Sequence, residues 1–162
     1  MSNILANDLR AQYEKLITNI RRIVEAFPEN RWLEPHGDEW YIPCRIAYHL
    51  AVNIDNQLSG GFKDPDFASK LPYGAVKDAT AETLPSKTDF FAYFEAVVGR
   101  AQGVLAVIDD DSLAAPIEQQ REWMGASQVG LHLYMMRELS AHTGELNKML
   151  VENGLDDIWV AR

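Results

Sequence analysis

Three side chains in this chain have types and spacing that suit a shared chemistry. Glu138 and His142 are four residues apart inside an apolar, helix-periodic stretch, 131–150. On a helix, residues i and i+4 lie on one face about a turn apart, so the carboxylate and the imidazole face one point. His49 belongs to a separate helical stretch, Ile46-Ala47-Tyr48-His49-Leu50. Two imidazoles and a carboxylate drawn from two helices suit one divalent ion per chain, zinc, nickel or iron(II), with positions left for a substrate. The same residues admit a plainer reading: a hydrogen-bonded core histidine at His49 and a surface ion pair between Glu138 and His142. Spacing alone is far less specific here than a helical His-Glu-x-x-His motif.

The other candidates are weaker. Glu145 is three residues beyond His142 on the same side of the helix, placed to orient an imidazole, to act as a catalytic base, or to serve as a fourth ligand, and equally readable as a solvated carboxylate near the helix end. His132 is about 15 Å along the helix from His142 and on another face, so it reads as structural. His36, in a Pro- and Gly-containing connector, is at most a reserve ligand. Cys44 has Tyr48 rather than a histidine at i+4 and reads as a buried thiol. Trp32, Trp40, Tyr41 and Tyr48 either line an apolar pocket or cap the core. The acidic run 109–111 lacks the glycine and distal glutamate of a calcium loop and reads as a solvated helix end. Di-iron carboxylate chemistry is a poor fit, because the chain has no Glu-x-x-His pair.

Four helical segments must position these groups. The first, 5–27, carries Leu9, Tyr13, Leu16, Ile17, Ile20, Ile23, Val24 and Phe27 at i, i+3, i+4 spacing and stops before Pro28. The second opens with Pro43 in its first turn and runs to Leu58, with Ile46, Leu50, Ile54 and Leu58 as its stripe and Gly60-Gly61 as its stop. His49 and Asn53 lie beside that stripe. The third starts after Ser86, an N-cap with Asp89 three residues on. The fourth spans 127–152 and ends at Asn153-Gly154. Between the second and third, 59–85 is long enough to travel the length of a bundle, which would let those two helices run parallel. Residues 112–125 read as irregular, and the tail 155–162, with Ile158, Trp159 and Val160, as a cover for one end or for a partner subunit. No stretch shows convincing strand alternation. The expectation is one all-α domain over 1–162, a four-helix bundle with a long crossover between helices two and three.

Composition narrows the function classes. The chain has 162 residues, 47% of them hydrophobic, and a net charge of -9. That charge repels phosphate backbones and anionic membrane surfaces, so neither nucleic acid nor membrane is an expected partner. A single cysteine precludes an internal disulfide and fits a reducing compartment. No basic-then-apolar leader and no span of apolar residues long enough for a membrane is read, so the expected location is cytoplasmic.

The stretch 40–55, containing His49-Leu50-Ala51, resembles the first ligand helix of the DinB/YfiT-like superfamily of DNA-damage-inducible four-helix-bundle proteins. His142-Thr143-Gly144-Glu145-Leu146, with the stop at Asn153-Gly154, resembles its second motif, which usually reads His-x-x-His-His-x-Gly-Gln. Length and helical layout match over nearly the whole chain. The resemblance implies a divalent metal held by three histidines. His49 matches the first and His142 the third; Glu138 falls where the middle histidine is usual, Ala141 replaces another histidine, and Glu145 replaces glutamine. It further implies a metal-dependent enzyme acting on a small-molecule substrate, with thiol-dependent S-transfer or hydrolase-type chemistry and a low-molecular-weight thiol as co-substrate. A homodimer is expected. The alternative it leaves open is a non-catalytic stress-response or binding module whose metal site has decayed at Glu138.

Overall fold

The structure is a computed structural model that describes residues 3–121 and 124–158, with the backbone alone at 118–121. Trp159 and Val160 of the tail lie outside the described residues. The fold is mostly helical: α1 (Ile4–Ala26), α2 (Pro43–Asn53), α3 (Lys87–Val107), a short α4 (Asp110–Ala114) and α5 (Gln128–Glu152), with a two-stranded sheet of β1 (Pro116–Arg121) and β2 (Gly125–Ser127).

Each long helix forms where its apolar spacing demands and buries that face. Tyr13, Ile17, Ile20 and Val24 of α1, Ile46 and Leu50 of α2, Phe90, Phe94 and Val97 of α3, and Met135, Leu139 and Leu146 of α5 share one core. Caps set the boundaries. Ser86 Oγ accepts from the Asp89 N–H at 3.1 Å to start α3, and Ser127 Oγ accepts from the Gly130 N–H at 3.4 Å to start α5. Asn3, at the head of α1, provides no side-chain cap. That role falls to Asp110, far along the chain, whose carboxylate accepts from the N–H of Ala6 at 2.9 Å and of Leu5 at 3.4 Å.

Side-chain contacts fix the helix directions. Cys44 meets Pro85, Tyr48 meets Tyr93, and Asp55 meets Arg100, so α2 and α3 run parallel. Lys87 bonds the carbonyls of Glu25 and Phe27, Arg21 pairs with Glu95, and Arg10 bonds the carbonyl of Leu105, so α1 and α3 run antiparallel. Residues 59–86 therefore return the chain along the molecule, through three short 3-10 turns. By length and composition α3 could cross a membrane. Here its apolar side packs on the core, while Glu95 and Arg100 pair with charges on neighbouring elements.

The second helix runs to Leu58 as expected, its last turn, Ile54–Leu58, widening into a π-helical turn closed by Ser59 N–H to Ile54 O at 3.3 Å, and Gly60, at φ +83°, ends it. Two other expectations need correction. The acidic run 109–111 does more than end a helix, because Asp109 and Ser112 form a reciprocal capping box that begins α4. The stretch 112–125 is not irregular throughout, since it holds the end of α4, all of β1 and the first residue of its antiparallel partner β2.

Candidate metal centre

His49 sits on α2 one residue before Leu50, which is fully buried; the backbone rotation between them leaves the imidazole half-buried at the edge of the core. On α5, Leu139, Thr143 and Leu146 turn inward. Glu138, His142 and Glu145 each precede one of these and form an adjacent, half-exposed row. The packing of α2 on α5 joins the two rows. The imidazoles of His49 and His142 meet edge to face, with ring centroids 4.6 Å apart at 88°. One donor atom from each of His49, Glu138 and His142 lies within 4.8 Å of the other two. His142 Nε2 is 3.8 Å from Glu138 Oε2. These three groups can hold a metal ion.

Their neighbours set how they present themselves. His142 Nδ1 is 2.7 Å from Glu145 Oε2, so the ring N–H donates there and the Nε2 lone pair faces Glu138. Glu138 lies between the Arg137 guanidinium, 3.7 Å from Oε1, and the His142 ring, 3.8 Å from its other oxygen. Arg137 in turn lies over the Tyr134 ring at 5.2 Å. At His49 the Asn53 amide N–H donates to Nε2 at 3.0 Å. Burial holds the His49 imidazole below its ordinary range, to about 4, with a smaller lowering from His142 and an opposing effect from Glu145. His49 is thus neutral at pH 7; its Nε2 lone pair is engaged by Asn53, so ligation through Nε2 would require that amide to move aside, and ligation through Nδ1 would require the amide to turn its oxygen to an Nε2 proton.

The remaining histidines stand elsewhere. His132 is buried, and its Nδ1 accepts from the Tyr13 hydroxyl at 3.0 Å, a structural role. His36 Nε2 accepts from the Asn153 amide at 2.9 Å, about 16 Å along α5 from His142, and is not among the three converging groups. The Cys44 thiol is buried, donates to Pro85 O at 3.4 Å, and is pushed above its ordinary pKa by desolvation, so it is no nucleophile. The four aromatics of the possible pocket do not act together. Trp32 and Tyr48 are core residues bonded to the carbonyls of Pro85 and Gly74, and Tyr41 is exposed. Trp40 alone reaches the site, meeting the His49 ring at 6.0 Å.

Two residues that touch His49 were not assigned to it by sequence. Asn53 had a signal, being the i+4 neighbour of His49 beside the apolar stripe. Trp40 had none as a neighbour of His49, because the contact is tertiary. Comparison with protein-family profiles, with characterised proteins and with solved structures gives no match to this chain.

Proposed function

We propose that this chain is a divalent-metal-dependent enzyme of the DinB/YfiT-like kind, in which α1, α2, α3 and α5 make a four-helix bundle and His49, Glu138 and His142 hold the ion. The observation that carries the reading is the convergence of donor atoms from two helices within 4.8 Å. The donors fit such an ion. Bonds of about 2.1 Å place tetrahedral ligands roughly 3.4 Å apart, and the His142–Glu138 separation of 3.8 Å is a small side-chain rotation from that. The two-histidine, one-carboxylate set matches zinc and iron(II) sites that keep open positions, and nickel accepts the same imidazoles. Helix directions support the bundle: α2 and α3 are parallel, joined by the long 59–86 connector, as the length of that loop led us to expect.

Bound there, the ion would supply Lewis acidity toward a small-molecule substrate and acidify a low-molecular-weight thiol. The protein's own groups do the rest. Glu145 fixes the His142 tautomer through Nδ1, and its partly exposed carboxylate is placed to accept the thiol proton. Asn53 orients His49. In S-transfer onto an activated carbon, the sulfur–carbon bond forms, the leaving group departs with its electron pair, and the proton goes to Glu145.

The test is a panel of low-molecular-weight thiols with an activated aryl halide, using protein loaded with zinc, nickel or iron(II). The reading predicts metal-dependent thiol consumption that is lost in His142→Ala and reduced in Glu145→Gln. Thiol consumption indifferent to metal and to both substitutions would contradict it.

A further inference from the structure

Arg45, in the first turn of α2, carries a fixed charge yet is buried. Its guanidinium spends its donors on backbone: Nε to Val76 O at 3.1 Å, Nη1 to Glu39 O at 3.2 Å, and Nη2 to Lys77 O at 2.8 Å. These carbonyls come from both loops flanking α2, so the planar group is held from several directions. Its Cζ sits 4.5 Å from the centre of the Trp40 ring, within cation–π range. The Trp40 ring in turn meets the His49 imidazole at 6.0 Å and 64°, an edge-type aromatic contact. A fixed charge, an indole and an imidazole therefore form one contiguous stack that ends at the metal centre.

We propose that Arg45 and Trp40 are positioning residues for this centre: the guanidinium fixes the indole, and the indole fixes the His49 imidazole so that its donor atom meets those of Glu138 and His142. The proposal rests on the metal reading above. A surface imidazole on a helix samples several rotamers, and ordering it on metal binding weakens affinity. Where the indole already restrains it, that ordering occurs on folding instead. Arg suits the anchoring position because its flat fork bonds several carbonyls while one face stacks on the ring; Lys has neither property.

The experiment titrates cobalt(II), read by its visible ligand-field bands, into the wild type, Trp40→Leu, Trp40→Phe, Arg45→Lys and the Arg45→Lys/Trp40→Leu double variant. Thermal melting of each metal-free protein is measured in parallel. Trp40→Leu keeps apolar bulk without a ring, so it is expected to fold with a melting point near wild type. Its cobalt affinity should fall about ten-fold, at the lower edge of the effect typical for groups that orient ligands. Trp40→Phe should restore most of the affinity. Arg45→Lys should weaken binding, and the double variant should bind no more weakly than Trp40→Leu, because Arg45 acts through Trp40. If Trp40→Leu binds cobalt as tightly as wild type, or if Trp40→Phe loses as much as Trp40→Leu, the positioning role is wrong and the metal site stands. Additive losses in the double variant would overturn the role of Arg45. A wild type that binds no cobalt would remove the metal reading and this proposal with it.

Discussion

His142 Nδ1 lies 2.7 Å from Glu145 Oε2, one turn along α5, so the carboxylate selects the tautomer that leaves Nε2 toward Glu138. Glu145 thus orients His142 and, in the proposed function, would also accept a proton. Glu145→Gln keeps an amide oxygen to accept the Nδ1 N–H but gives up the base. It should hold zinc within a few-fold of wild type while thiol transfer falls. Glu145→Ala loses both, and zinc affinity measured against a chromophoric chelator should fall about 10-fold or more. Equal affinities for Glu145→Ala and wild type would show that the contact orients nothing.

Stability should depend on pH through His132. Burial lowers its pKa from 6.5 to about 4, and it packs beside Tyr13 with Asp8 in the same groove. Below the ordinary pKa the unfolded chain binds more protons than the folded one, so stability rises with pH there. The contribution is complete above pH 6.5 and is lost progressively as pH falls toward about 4, amounting to roughly 3 kcal/mol. Urea midpoints of wild type should drop between pH 7.5 and 4.5 more steeply than those of His132→Gln. Identical slopes would contradict the assignment.

Asp110 should act as a long-range cap. Its carboxylate meets the first N–H groups of α1, where the helix dipole also favours negative charge. Asp110→Ala should cost about 1 kcal/mol in urea unfolding. Asp111→Ala, on the same short helix and exposed, serves as the control and should be near neutral.

Tyr93 offers the opposite case. Among the described residues, its hydroxyl and that of Ser59 are buried without a hydrogen-bond partner. Asp55, whose charge helps burial to raise the Tyr93 pKa, gives its two oxygens to Arg100 at 3.0 and 2.8 Å. Tyr93→Phe keeps the ring contacts with Tyr48 and Tyr73 and removes the unsatisfied group. Its melting temperature should equal or exceed that of wild type. A clear drop would reveal a hydrogen bond at that hydroxyl.

What sequence made legible follows from the range of each interaction. Glu138 and His142 could be paired from spacing because both sit on one helix, and the long amphipathic helices announce themselves over many turns. That His49 faces them is a tertiary fact, suggested by the family resemblance and not by any periodicity. The short α4 and the β1–β2 pair, only a few residues each, show no period to read. Asp110 looked like part of a breaker because its partner N–H groups lie at the other end of the chain. Trp40 read as one of four pocket or core-cap aromatics for the same reason, since its contact with His49 is tertiary.

In the proposed centre, two helices bring three donors to one ion. Its most direct test is metal content by mass spectrometry of tag-free wild type and His142→Ala, each incubated with zinc, nickel or iron(II) and then desalted. About one ion per wild-type chain is expected, lost in the variant. Wild type that retains no ion under any of these conditions, or a His142→Ala variant that retains as much, would contradict it.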